Sequence, residues 1–248
     1  MYTDIHSHVI WGVDDGAETK EETFRMLREA VADGIGTIIC TPHITPGIYA
    51  FPEEKFQDNY SAANEWIKEN DLPLKLYQGA EILFTDATPQ MLRDKRIPSM
   101  AGSRYILVEF SPAEKMAVIM DALQQITATG YLPIIAHLER YSNIRTTDQV
   151  REIKERFQAM IQINARSLFR RQPLLRRRFF SGLFQEGLVD FIATDTHAAP
   201  GRESCMSKGM EALRRQFGAG TADAIERRPY GVILKNLSDK MVASFSNG

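Results

Sequence analysis

The chain lacks most of what would place it in several common classes. It has two cysteines, Cys40 and Cys205, far apart in sequence. That spacing provides neither a disulfide framework nor a paired-thiolate zinc site. No apolar run approaches the roughly 20 residues a membrane helix needs, so no membrane insertion is expected. Charge of one sign is also missing: the formal net charge of -2 gives the whole molecule no attraction for nucleic acid, and none is expected as a partner. The opening residues Met1–Ile5 enter an apolar run without a basic leader, which predicts no signal peptide and a cytoplasmic location. No repeat, low-complexity stretch or Pro/Gly/Ser-rich linker divides the 248 residues, so one domain over 1–248 is expected.

What is present is an alternation of short apolar runs with helical patterns. Strands are expected at Tyr2–Ile5, Thr37–Cys40, Leu74–Gln78, Tyr105–Glu109, Leu132–Ala136, Met160–Ile163 and Phe191–Ala193. They are rich in Ile, Leu, Val and aromatics without clean alternation, as in strands buried on both faces of a parallel sheet. Between them, Thr19 and Glu22 form a capping box for a helix over 20–33, and Pro52 opens one reaching Lys68. Further helices are expected over 115–129, over 148–157 with Thr147 as cap, over 174–186 and over 203–217, three of them stopped by Gly130, Gly187 and Gly218. The tail after Pro229 reads as a helical appendage whose last residues fray. Repeated strand–helix units imply parallel strands with right-handed crossovers, and about seven of them suit a distorted or incomplete α/β barrel.

Histidine is scarce and its placement is regular. The five histidines, His6, His8, His43, His137 and His197, each lie just after an expected strand. Asp15, Glu81, Glu109 and Asp195 occupy equivalent places. Barrel active sites form at the C-terminal ends of the strands, so this distribution gathers imidazoles and carboxylates around one mouth. A lone histidine of this kind is ordinarily a hydrogen-bonded core residue; five at strand ends with four carboxylates are not explained that way. Clustered carboxylates repel unless cations neutralise them, and a mixed imidazole–carboxylate set suits zinc, manganese or iron. His6 and His8, two apart on an extended chain, point the same way and can reach one ion.

The runs Asp4-Ile5-His6-Ser7-His8, Val13-Asp14-Asp15-Gly16, Thr41-Pro42-His43, Gly79-Ala80-Glu81-Ile82, Val108-Glu109-Phe110, Ala136-His137-Leu138-Glu139-Arg140-Tyr141 and Thr194-Asp195-Thr196-His197 follow in this order. Together they resemble the PHP (polymerase and histidinol phosphatase) superfamily, and within it the bacterial protein-tyrosine phosphatases of the CpsB/YwqE class. The resemblance covers residue 2 to about 202. It implies a distorted TIM-like (β/α)7 barrel of the PHP type with three divalent metals at the C-terminal ends of its strands. His6, His8, Glu81 and Asp195 would hold one metal; Glu81 would bridge to a second, completed by Glu109 and His137; Asp15, His43 and His197 would hold the third. Manganese is favoured by the resemblance, and Fe²⁺ or Zn²⁺ also suits the donors. The implied partner is a tyrosine-phosphorylated protein, such as the tail of a bacterial tyrosine kinase controlling capsule or exopolysaccharide synthesis.

The implied chemistry is phosphotyrosine hydrolysis by a metal-activated hydroxide. Arg140 and Arg202 are the catalytic candidates, because a guanidinium fork matches phosphoryl oxygens; a surface salt bridge is the competing role for each. Two other chemistries fail on the residues. The sixth residue after Cys40 is Pro46 and after Cys205 is Glu211, so no cysteine phosphatase loop exists, and Asp4-Ile5-His6 is no D-x-D pair. A histidinol-phosphate-type phosphatase, a PHP phosphodiesterase or nuclease, an amidohydrolase and a non-catalytic docking protein are the competing readings. Glu81 and Glu109, in place of a middle-strand lysine, disfavour the amidohydrolase. Finally, Arg166, Arg170, Arg171, Arg176, Arg177 and Arg178 crowd one region. A solvated helix face and a docking surface for an acidic, phosphorylated peptide both account for them.

Overall fold

The structure is a computed structural model and describes residues 1–171 and 173–235. The expected fraying of the final residues falls outside the described residues. Nine short strands arise from the seven expected positions. They are β1 (Tyr2–Ser7), β2 (Ile35–Cys40), β3 (His43–Ile44), β4 (Lys75–Gln78), β5 (Glu81–Leu83), β6 (Tyr105–Glu109), β7 (Leu132–Ile135), β8 (Met160–Asn164) and β9 (Phe191–Ala193). Every pairing is parallel, in the orders β1-β2-β4 and β3-β5-β6-β7-β8-β9. A parallel bridge from Ser7 to Thr196 joins the first strand to the end of the last. Two backbone bonds carry that closure, His8 N to Thr196 O at 3.0 Å and Asp195 N to His6 O at 2.9 Å.

Two strand positions are broken, one at Thr41-Pro42 and one at Gly79-Ala80. Proline offers no N–H to a ladder. Gly79 sits where a Cβ would come 2.7 Å from the Ile39 methyl, so the close approach of the two strands needs glycine. Past the breaks, His43 pairs with Glu81 in register, which sets two of the expected ligands side by side.

The helices are α1 (Lys20–Ala32), α2 (Glu53–Glu69), α3 (Thr88–Arg93), α4 (Met116–Thr127), α5 (Thr147–Phe157), α6 (Leu174–Gln185), α7 (Met206–Phe217) and α8 (Ala219–Pro229). The Thr19–Glu22 capping box is formed. The cap of α5 is Thr146, not Thr147, because Gln149 closes the box one residue earlier. α7 begins at Met206 rather than at 203, and its first turn is capped from elsewhere: Asp33, just past α1, accepts from Met206 N at 2.5 Å and Ser207 N at 3.1 Å.

Packing forms two layers. Ile5, Ile39, Leu107, Ile134, Ala136, Phe191 and Ala193 cluster with Met100, Ala101, Ile233 and Leu234 as the filling of the barrel. A larger cluster lies between strands and helices. Fully burying each such aliphatic or aromatic side chain contributes roughly 1.5–3 kcal/mol. The segment after Pro229 is therefore not an appendage. The helical chain continues to Leu234, and Ile233 and Leu234, 1% and 4% exposed, close the barrel interior.

Candidate metal centre

All nine expected ligands converge at one mouth. Glu81 is the hub. Its Oε2 lies 3.0 Å from His6 Nε2, 3.2 Å from His8 Nε2 and 3.2 Å from His43 Nδ1, while its Oε1 lies 2.7 Å from His137 Nε2. Glu109 faces His43 Nδ1 at 3.3 Å and His137 Nε2 at 3.4 Å. Asp15 lies 3.4 Å from His43 Nε2 and 3.3 Å from His197 Nε2. Asp195 Oδ1 stands 3.8, 3.7 and 3.6 Å from His6, His8 and His197. The ligand atoms of His8, Asp15, His43 and His197 fall within one cation-sized group; those of His6, His8 and Glu81, and of His43, Glu81 and Glu109, form two more.

The backbone at two of these positions is left-handed although neither residue is glycine: His137 has φ 32° and Asp195 has φ 51°. Such conformations cost on the order of 1–3 kcal/mol and persist where the surroundings hold them for function.

Residues beyond the nine orient the imidazoles. Asp14 Oδ2 accepts from His8 Nδ1 at 2.7 Å and from His43 N at 3.1 Å, and Gly16 N binds its other oxygen. Gln162 Oε1 lies 3.3 Å from His6 Nδ1 and accepts from His137 N at 2.7 Å. With Nδ1 protons directed at these acceptors, the Nε2 atoms of His6 and His8 face one another at 3.2 Å. Two nitrogen lone pairs aimed at each other need a proton or a cation between them and the carboxylates, so the donor set fits divalent metal. Asp4, fully buried, fastens β1 to Thr194 N at 3.0 Å. The sequence reading missed Asp14 and Gln162. Asp14 stood in a quoted run, yet nothing in an Asp-Asp pair says which carboxylate faces an ion.

Without metal the cluster shares protons. Burial opposes charge on His8, yet Asp14 and Glu81 hold its pKa well above the ordinary value. His137 is likewise disfavoured by burial, but Glu109 and Glu81 raise it to about 9. Glu81 resists ionisation through burial and is pulled well below the carboxylate range by His6 and His137. His197 goes the other way, to about 4, through burial and the neighbouring His8.

Arg140 and Arg202 stand at the rim. Arg140 Nη2 binds Asp195 Oδ2, and Arg202 Nη2 donates to Asp195 Oδ1 at 2.9 Å. Arg202 also lies 3.9 Å from Asp15. Asn164 Nδ2 donates to Asp195 at 2.8 Å, which puts the end of β8 at the site. These three side chains line a cavity of about 260 Å³ beside Asp195.

Comparison with known proteins follows the same line. A match to the family described as capsular polysaccharide synthesis, CpsB/CapC, spans residues 2–235. The tyrosine-protein phosphatase CpsB of Streptococcus pneumoniae is 32% identical over 244 residues, covering 94% of this chain and 99% of that protein. Among solved structures, those of YwqE from Bacillus subtilis and CpsB from Streptococcus pneumoniae, metal-dependent tyrosine phosphatases, include a match with TM-score 0.82 and 28% identity, covering 94% of each chain. The histidinol phosphate phosphatase of Lactococcus lactis, at 16% identity and TM-score 0.56 over 87% of this chain and 92% of that one, shares the fold.

Proposed function

The chain belongs to the CpsB/CapC family, and from that membership we propose how its mouth carries out the family's reaction. It is a metal-dependent tyrosine-protein phosphatase of the PHP type. His6, His8, Glu81 and Asp195 would hold one divalent cation; Glu81, Glu109 and His137 would hold a second; Asp15, His43 and His197 would hold a third. Manganese is the favoured ion. The observation that carries this reading is Glu81: a buried carboxylate with three imidazoles on one oxygen and a fourth on the other is a donor that would serve more than one cation.

When bound, divalent cations supply an acidified water and neutralise phosphoryl oxygens. Asp14 and Gln162 fix the imidazoles so that Nε2 of His6 and of His8 presents a lone pair. Arg140 and Arg202, 41% and 34% exposed, swing from Asp195 to the phosphoryl oxygens as bidentate forks. A tyrosine leaving group, with a pKa near ~10, departs without a strong general acid. Hydrolysis is direct, with no phosphoenzyme. The single domain acts in the cytoplasm on a tyrosine-phosphorylated protein such as a kinase tail, in support of capsule or exopolysaccharide synthesis. No helix among the described residues is long and apolar enough to cross a membrane.

The test is hydrolysis of a phosphotyrosine peptide and of histidinol phosphate, with Mn²⁺ and with a chelator. The peptide should be preferred, and chelation should abolish turnover. A preference for histidinol phosphate, or full activity in metal-stripped protein, overturns the reading. Arg140→Lys should lower kcat/KM about 10–100-fold, because the ammonium cannot reproduce the fork.

A further inference from the structure

Away from the metal centre, five arginines reach a carboxylate and the others do so with none of the described residues; what distinguishes three of the latter is that they share one cavity. The five are Arg25, Arg151, Arg156, Arg214 and Arg228. Arg170, Arg171 and Arg177 are exposed, and none of them forms an ion pair with a carboxylate among the described residues. All three line one cavity of about 720 Å³, and none of the described residues in its wall is acidic. Its apolar floor includes Leu168 and Phe180. Of the Arg176–Arg178 triplet, only Arg177 lines this cavity. Ser167 and Arg170 also line the smaller cavity beside Arg140, Asp195 and Arg202, so the two spaces share a wall.

Three guanidinium groups without internal counter-charge repel one another, and an anion relieves that repulsion. The molecule's net charge of -2 makes this positive density local rather than general. A site fed only by an isolated phosphotyrosine would leave the cavity unused. We propose that it is a second anion subsite, which takes the acidic or phosphorylated side chains flanking the phosphotyrosine that occupies the metal centre. The substrate is then a phosphotyrosine segment with anionic side chains on its flanks. This rests on the phosphatase reading and adds a substrate class to it.

The test uses the metal-loaded full chain and the double variant Arg171→Ala/Arg177→Ala. The probes are a fluorescein-labelled phosphotyrosine peptide with glutamates on both sides, its glutamine counterpart, and a small aryl phosphate. Binding is read by anisotropy, independently of turnover. Wild type should bind the glutamate peptide at least about tenfold tighter than the glutamine peptide, a difference that shrinks with salt. The double variant should lose that difference, through KM rather than kcat, and hydrolyse the aryl phosphate like wild type. Equal affinity of wild type for both peptides overturns the subsite, as does an unchanged difference in the variant. Equal loss on peptide and aryl phosphate assigns the arginines to structure and also overturns it. Tighter capture of an oligonucleotide of matched charge reassigns the groove to nucleic acid. If wild type binds the glutamate peptide selectively but hydrolyses nothing, the subsite stands and the phosphatase reading fails.

Discussion

Asp14 does for His8 what Gln162 does for His6: each accepts a hydrogen bond from Nδ1 and leaves the other nitrogen free for an ion. Burial resists charge on Asp14, but the hydrogen bond from His8 holds its pKa down to about 2, so it remains an acceptor at any ordinary pH. Asp14→Ala should therefore weaken metal binding about 10–100-fold while the fold persists. Chelator competition with circular dichroism checks this, and unchanged affinity would remove Asp14 from the site. The thiols give a second expectation. Burial pushes Cys205 up to about 11 and Cys40 higher still, so neither is a thiolate at neutral pH. N-ethylmaleimide should label neither in the native protein and leave activity intact, with both labelled after denaturation. Inhibition by the reagent would point to thiol chemistry after all. The nine candidate ligands were legible because histidine is rare and strand ends are readable. Asp14 and Gln162 were not, because their role depends on which way a turn and a strand face.

α7 shows how an element can be readable while its support is not. Its apolar periodicity and terminal Gly218 are local signals. Its cap is Asp33, more than 170 residues earlier, and Ser204 Oγ donates to the same carboxylate at 2.6 Å. Asp33→Ala should cost about 1 kcal/mol, as loss of an N-cap does, and lower Tm by about 3 °C. An unchanged melting curve would mean that solvent replaces the cap. The same contrast runs through the fold. Thr19 and Glu22 are three apart and their capping box was legible; the Thr146–Gln149 box was misplaced by one residue because Thr147 offers the same hydroxyl. α3 is six residues long, so the proline in its first turn marks too short a periodic stretch to read as a helix, and α8 starts directly after Gly218 without a side-chain cap. The breaks that turn two strands into four could not be foreseen from apolar runs alone, yet they put His43 opposite Glu81.

At the scale of the whole molecule, the mouth joins strands from both ends of the chain, so its charge state bears on global stability. In metal-stripped protein His137 holds its proton to about 9, against about 6.5 in an unfolded chain. A raised folded pKa contributes stability that is complete below about 6.5 and lost as pH rises through 9. His8 and His43, also raised, act in the same direction. His197, lowered to about 4, and Asp4, raised by burial to about 6, titrate below this window. The stripped protein should thus lose on the order of 2–3 kcal/mol between about pH 6.5 and 9 from His137 alone. That corresponds to a fall in Tm on the order of 5–10 °C. Metal competes with those protons and binds deprotonated imidazoles, so its affinity rises over the same window. The Tm difference between loaded and stripped protein should therefore widen as pH rises. Calorimetry of both forms across the window checks it, and parallel curves would mean that no ion replaces the shared protons of the mouth.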